Sequence, residues 1–139
     1  MKEIEIYEID DTPDFQKNVI KFSKKKNFKM LPKQINELID DLEIGKFEGD
    51  KITHKDHPTP HDVYKLRLPN PDTHAGKSNG YRVIYMVVTA YKIVVFLTIY
   101  YKKEQETISD NYIKGLIDGY FINLLREEDS ENFSFEKES

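Results

Sequence analysis

The chain has 139 residues, enough for one domain with a modest core, and lacks cysteine, which excludes disulfides, thiolate zinc sites and cysteine nucleophiles. Its net charge of −4 is unevenly spread: Asp62 to Lys103 holds seven Lys/Arg against two Asp/Glu (+5), and the remainder holds 14 against 23 (−9). A basic stretch inside an acidic chain points to a polyanionic ligand, and no apolar run reaches membrane-spanning length.

Lys2 to Asp10 alternates, with Ile4, Ile6 and Ile9 set against Glu3, Glu5 and Glu8, which predicts a first strand. This acid-bearing start is unlike a signal peptide, and the expectation is a soluble cytoplasmic protein. Thr12 reads as an N-cap and Pro13 as the first residue of a helix carrying Phe15, Val19 and Phe22. Lys24, Lys25 and Lys26 close that helix, where cations favour the C-terminus. Their plain reading is a solvated helix end, and their sharper one a phosphate-backbone contact. A second helix from about Pro32 presents Ile35, Leu38, Ile39 and Leu42 at i, i+3, i+4 and i+7 and stops at Gly45. Lys46 to His61 reads as a polar connection without periodicity. Its His54, His57 and His61 lie in a Pro-stiffened run that matches no ligand framework, so they read as surface residues and no metal is expected.

In Val63 to Leu68, Tyr64, Leu66 and Leu68 face one way and Lys65 and Arg67 the other, with the two cations about 7 Å apart along the strand. Tyr81 to Val88 is apolar on both faces apart from Arg82. Thr89 to Lys92 is a short connection, so Ile93 to Tyr101 pairs antiparallel with it as a hairpin. The loop between, Pro69 to Gly80, contains Gly76-Lys77-Ser78, the tail of a phosphate-binding P-loop. Pro71 stands where the upstream glycine belongs and a strand follows instead of a helix, which rejects a nucleotide triphosphatase. Ser109 reads as the N-cap of a last helix, with Ile113, Leu116, Ile117, Tyr120, Phe121 and Leu124 in a stripe expected to pack on the sheet. Glu127 to Ser139 holds six acids against Lys137, so the expected division is a domain over 1–126 and a flexible acidic tail over 127–139.

Three phrases carry a family resemblance: Tyr64-Lys65-Leu66-Arg67; Gly76-Lys77-Ser78-Asn79-Gly80-Tyr81-Arg82-Val83-Ile84-Tyr85; and Leu97-Thr98-Ile99-Tyr100-Tyr101-Lys102-Lys103 leading to Glu106 and Ser109. Together with the order strand, helix, helix, three strands, helix, they resemble the RelE/ParE toxin superfamily. The nearest likeness is to the RelE/HigB-like mRNA interferase toxins of type II toxin–antitoxin systems. The resemblance implies an α+β fold: a RelE-like single domain with a mainly antiparallel four-stranded sheet, helices packed on it and an open basic groove. It also implies a ribosome-dependent endoribonuclease that needs no metal or other cofactor. In that reaction the ribose 2′-hydroxyl attacks the adjacent phosphorus, leaving a 2′,3′-cyclic phosphate and a 5′-hydroxyl. The implied partners are a cognate antitoxin, the ribosome and mRNA.

By family position Arg82 stabilises the transition state, and Lys65 and Arg67 hold phosphate or ease deprotonation of the hydroxyl. Tyr100 or Tyr101 stacks on a base or orients the nucleophile, and since adjacent strand residues point oppositely, one of the two belongs to the core. Lys77 contacts backbone phosphates, and Lys102 and Lys103 contact mRNA or ribosomal RNA. Preorganised Lys and Arg suit a transition state that concentrates charge on phosphate oxygens. The chain departs from the family in being acidic overall and in having no evident carboxylate or histidine base within the matched phrases; His74 lies in the loop. Two other readings stand beside this one. The first is a ParE-like DNA gyrase inhibitor, against which the clustered cations argue, and the second a non-catalytic protein-binding domain on the same fold.

Overall fold

The structure, a computed structural model, describes residues 6–52, 61–74, 76–105 and 107–138 and divides into two compact units, Met1–Thr107 and Ile108–Ser139. The first unit contains β1 (Glu8–Asp11), α1 (Pro13–Ser23), α2 (Leu31–Glu43), β2 (Asp50–Ile52), β3 (Asp62–Leu68), β4 (Tyr81–Val88) and β5 (Ile93–Tyr101). Its sheet has the order β1-β5-β4-β3-β2, with β1 parallel to β5 and every other pair antiparallel. The α+β class holds, but the sheet has five strands and not four. The additional strand, β2, falls in the stretch read as an aperiodic connection. Three residues are too few to display a period, and what admits them is Gly49. Its φ is +112°, and a Cβ there would stand 2.7 Å from the Lys65 carbonyl oxygen.

The first strand starts later than its alternation implies. Residues 1–5, including Ile4, lie outside the described residues, and β1 begins at Glu8. Ile6, expected on the inner face, is 71% exposed, and Tyr7 is buried in its place. The Tyr7 amide donates to the Glu43 carbonyl at 2.8 Å, and its ring meets Phe47 edge-on. An aromatic ring with a backbone tether fills the space better than the neighbouring isoleucine.

Thr12 caps α1 as expected and does more. Its hydroxyl oxygen accepts from the Phe15 amide at 3.1 Å and donates to the Leu97 carbonyl at 2.6 Å, tying the helix start to β5. Phe15 then stacks on Phe96 with ring centroids 4.6 Å apart. Leu31, Ile35, Leu38 and Leu42 bury the inner stripe of α2, and Gly45, at φ +82°, ends the chain's helical run. These helices cover one face of the sheet, built from Leu66, Tyr81, Val83, Tyr85, Val87, Val94, Phe96, Ile99 and Tyr101. Each such side chain removed from water stabilises the fold by about 1.5–3 kcal/mol before entropy is counted.

On β5 the inward residues change parity, from Val94 and Phe96 to Ile99 and Tyr101. A bulge does this: Ile84 pairs with Thr98 and Tyr85 with Phe96, leaving Leu97 without an opposite residue. Since β1 ends at Asp11, the β5 edge beyond Phe96 has no strand beside it among the described residues. Helix α1 covers it instead, with Asn18 Nδ2 donating to the Ile99 carbonyl at 3.0 Å and the Thr98 hydroxyl donating to the Asp14 carboxylate.

The second unit is α3 (Asp110–Glu138). Ser109 Oγ accepts from the Tyr112 amide at 3.1 Å, the expected cap. The helix continues through Glu127, where the sequence reading begins a flexible tail. No described helix is long and apolar enough to cross a membrane.

Candidate functional site

The sheet face away from α1 and α2 gathers most of the candidate residues. Register places Arg67 of β3 opposite Arg82 of β4, and Arg82 opposite Tyr100 of β5, so the three form one line across the strands. The next line on the same face is Asp50, Lys65, Ile84 and Thr98. Directly opposed residues in antiparallel strands have Cα atoms about 4.5–5.5 Å apart, so two arginines, a lysine, a phenol and a carboxylate share one small area. Arg67 is exposed, Lys65 half-buried, and Arg82 and Tyr100 are each 4% exposed.

The buried Arg82 is held by the loop before its own strand. Its Nη1 donates to the Lys77 carbonyl at 2.8 Å and to the Tyr81 carbonyl at 3.2 Å. Burial, and next the Arg67 cation, pull the Arg82 guanidinium below its ordinary value, while Tyr100 pulls the other way. Burial pushes the Tyr100 phenol up, with Arg82 opposing. Tyr100 is therefore a neutral phenol, and its buried hydroxyl has no hydrogen-bond partner among the described residues. A buried hydroxyl without a partner costs about 1–3 kcal/mol, so this one is a donor awaiting an acceptor.

Residues 69–80 are fastened at both ends. At Gly80 a Cβ would stand 2.0 Å from the Leu68 carbonyl oxygen, and the Lys102 amide donates to the Gly80 carbonyl at 3.0 Å. Only glycine lets the end of β3, the start of β4 and the exit from β5 meet there, beside the Arg67–Arg82–Tyr100 line. At the other end Asn70 is fully buried. Its Nδ2 donates to the Asn27 carbonyl at 3.1 Å and to the Tyr101 hydroxyl at 3.3 Å, and its Oδ1 accepts from the Asp72 amide at 3.1 Å. Asp72 in turn accepts from the Met30 amide at 2.9 Å, and Gln34 donates to the Pro69 carbonyl at 2.8 Å. The loop is thus pinned to the α1–α2 side of the unit.

Lys65, Arg67, Arg82 and Tyr100 come together. Tyr101 does not join them: it lies on the core face, its ring edge-on to Phe28 at 4.9 Å and its hydroxyl on Asn70 and Thr73. Lys77 is exposed at the start of a 3₁₀ turn, with its carbonyl bound to Arg82; Lys102 is half-buried and Lys103 exposed in the turn after β5. His74 is exposed at φ +58°. Of the lysine run, Lys25 is engaged, with Nζ 2.8 Å from Glu104 and near the Phe22 and Phe28 rings, while Lys24 and Lys26 are exposed. His54, His57 and Glu106 lie outside the described residues. His61 is half-buried, and burial lowers its imidazole below the ordinary value. Among the described residues no group of three His, Asp or Glu is placed to hold a metal ion.

Sequence reasoning missed two residues. Asp50 enters the cationic face only because β2 exists, and nothing in its neighbourhood announces that strand. Asn70 had a signal, since Asn-Pro-Asp is a turn-forming run whose first side chain caps its own backbone.

A scan of protein-family models finds no match to this chain, and no curated protein matches it. Among solved structures it is similar to the free E. coli toxin RelE carrying two arginine-to-alanine substitutions, at 20% identity, TM-score 0.48, 73% of this chain and 88% of that one. It is also similar to the archaeal RelE–RelB complex from Pyrococcus horikoshii OT3, at 18% identity, TM-score 0.42, 70% of this chain and 96% of that one. The toxin–antitoxin complex RelBE2 from Mycobacterium tuberculosis matches at 13% identity, TM-score 0.38, 73% of this chain and 97% of that one.

Proposed function

We propose that this chain is the toxin of a toxin–antitoxin pair and acts as an endoribonuclease that cuts mRNA on the ribosome. The observation that carries the reading is the Arg67–Arg82–Tyr100 line with Lys65 beside it, and the phrases containing these residues are those that resemble RelE-like toxins. Two guanidinium groups, which can only donate, stand on one face beside a neutral phenol that can donate, a set that suits phosphate oxygens.

In the reaction proposed, the O2′–P bond forms as the P–O5′ bond breaks, giving a 2′,3′-cyclic phosphate and a 5′-hydroxyl. Arg82 and Arg67 donate to the non-bridging oxygens, where negative charge rises in the transition state. Arg82 is already fixed by two carbonyls, so little of its side-chain freedom is lost on binding. Tyr100 donates its hydroxyl to the same phosphate. Asp50 takes the 2′-hydroxyl proton, with Lys65 opposite holding both the carboxylate and the scissile phosphate. The proton that the leaving 5′-oxygen requires comes from the cationic donors of this face or from solvent. The partners of this activity are the ribosome, mRNA and a neutralising antitoxin.

The test is induction of the protein followed by mapping of mRNA 5′ ends. Codon-phased cuts that disappear in both Arg67→Ala and Arg82→Ala are expected. Because Arg82 also holds the loop at Lys77, the exposed Arg67 gives the cleaner control. Folded wild-type protein that leaves mRNA uncut when bound to ribosomes would sink the proposal.

A further inference from the structure

Between Asp14 and Glu37 the chain carries seven lysines and no acid, a third of its 21 Lys and Arg. The fold strings them along one track of the first unit. On α1, Lys17, Lys21 and Lys24 recur at i, i+4 and i+7, opposite the inward Phe15, Val19 and Phe22, with neighbouring Cβ atoms about 5–6 Å apart. Lys25 and Lys26 lead into a 3₁₀ turn, and Lys29 and Lys33 flank the start of α2. All but Lys25 are exposed, and among the described residues only Lys25 of the seven has an ion pair, with Glu104. The acids closest to the track are turned elsewhere: Asp14 accepts from the Thr98 hydroxyl, and Asp72 from the Met30 amide. The arrangement works against the fold. Like charges at i, i+4 repel, and Lys29 and Lys33 stand at the positive end of α2. Helix-end electrostatics explains Lys21 and Lys24 at the end of α1 and leaves the others without a structural use.

We propose that this lysine track binds the phosphate backbone of duplex RNA. The choice of RNA over DNA rests on the RNA reading of the outer sheet face; the choice of a duplex does not. Ammonium groups meet phosphates as point charges and carry no base readout. Phe15, Phe22 and Phe28 are buried, so residues 15–36 offer no ring on which an unpaired base could stack, as a single strand would want. A duplex keeps its bases inside and asks for cations alone. Ile20 and Met30 are the exposed large apolar residues of the track, too few to enter a lipid surface. The Lys25–Glu104 pair, at 2.8 Å, holds the turn after β5 to the end of α1, and the Lys102 amide of that turn is bound to the Gly80 carbonyl. The track and the Arg67–Arg82–Tyr100 line therefore meet at Lys102 and Lys103. An RNA with a paired stem beside an unpaired strand would occupy both.

The probe is a fluorescein-labelled RNA duplex of about 16 base pairs, titrated into the full chain by anisotropy over a range of salt. Its comparators are one strand of it alone, the matching DNA duplex, polyglutamate of equal charge and phosphatidylserine vesicles. The RNA duplex is expected to bind tighter than the single strand, the polyglutamate and the vesicles, and at least as tightly as the DNA. Lys17→Gln, Lys21→Gln and Lys24→Gln together should weaken it at least about tenfold near 50 mM salt and flatten the plot of log affinity against log salt by about 2–3. Lys26→Gln, Lys29→Gln and Lys33→Gln together provide a second, separate variant, and a melting temperature no lower than that of the wild type shows that each variant folds. Arg67→Ala should leave duplex affinity unchanged. If mRNA stays uncut while the duplex binds in this lysine-dependent way, the cleavage reading falls and the track stands. The proposal is overturned by absence of duplex binding near 50 mM salt, by tighter binding of any comparator, by a salt slope unchanged in both lysine variants, or by an equal loss in Arg67→Ala, which would put the duplex on the outer sheet face.

Discussion

Arg67 should be more useful to the protein's ligand than to its fold. It is exposed and stands opposite Arg82, a like charge, in the β3–β4 register. Like charges directly opposed in a sheet destabilise by roughly 0.2–1 kcal/mol. Coulomb's law gives a similar figure, about 0.7 kcal/mol for charges ~6 Å apart in water and more where Arg82 is buried. Arg67→Ala removes that repulsion and little packing, so its unfolding free energy should rise by about 0.5 kcal/mol at low ionic strength, seen as a higher urea midpoint with the slope unchanged. Millimolar inorganic phosphate should stabilise the wild type more than the variant, since an anion bridging the two guanidinium groups relieves the same repulsion. Cleavage should move the other way, falling about 10²-fold, or 2.7 kcal/mol of transition-state stabilisation. Urea melts with and without phosphate, beside initial cleavage rates, measure both. A variant less stable by more than about 1 kcal/mol would mean that Arg67 is structural, and the reasoning would be wrong.

Three further outcomes follow from the loop and from β3. Gly80→Ala forces a methyl group against the Leu68 carbonyl and should destabilise by at least about 1–3 kcal/mol in urea melts, with disturbed amide shifts at Lys102 and Arg82. Asn70→Ala leaves the Asn27 carbonyl and the Asp72 amide without their partner and should destabilise by about 2–4 kcal/mol, whereas a surface Asn exchanged likewise would change little. His61 is held below its ordinary value of 6.5 by burial, so the unfolded state takes up the extra proton as pH falls. Its contribution is intact above that value and lost progressively below it. Stability measured between about pH 7.5 and 5.5 should therefore fall more steeply for the wild type than for His61→Gln; parallel curves would refute the assignment.

The sequence announced what periodicity and capping chemistry can announce. Thr12-Pro13, the stripe of α2, Gly45 and the alternation of Tyr64 to Leu68 all landed where expected, because each depends on residues within a few positions of one another. What failed depended on distant contacts. Ile6 and Tyr7 exchange places because Glu43 and Phe47 lie beside Tyr7. Strand β2 is made by the close approach of Gly49 to Lys65, a relation between positions sixteen apart. The apolar run of β5 hid its own parity: with hydrophobic residues on both faces, nothing local shows the bulge at Leu97 that turns Tyr100 to the cationic face and Tyr101 to the core. Sequence narrowed the two tyrosines to one, and the register chose between them.

The net charge of −4 is a poor guide to the Arg67–Arg82 face, because its cations and the acids of β1 and α2 lie on opposite sides of one unit. The cations of this face lie on the side of the sheet away from α1 and α2, and Asp10 and Asp11 of β1 and Glu43 of α2 lie on the helical side. A helix with its side chains is about 10–12 Å across, against a Debye length of about 8 Å at physiological ionic strength. Each face is then largely insulated from the other, and a polyanion meets the local positive field instead of the net negative one. Dilution of salt undoes this. At about 0.01 M the Debye length reaches ~30 Å, and the acids weaken attraction to the cationic face. Removing these charges by Asp10→Asn and Glu43→Gln should therefore tighten RNA binding to the cationic face at low salt and leave it unchanged at physiological salt. An effect of equal size in both conditions would show that the acids act on the RNA face through structure and not through their field.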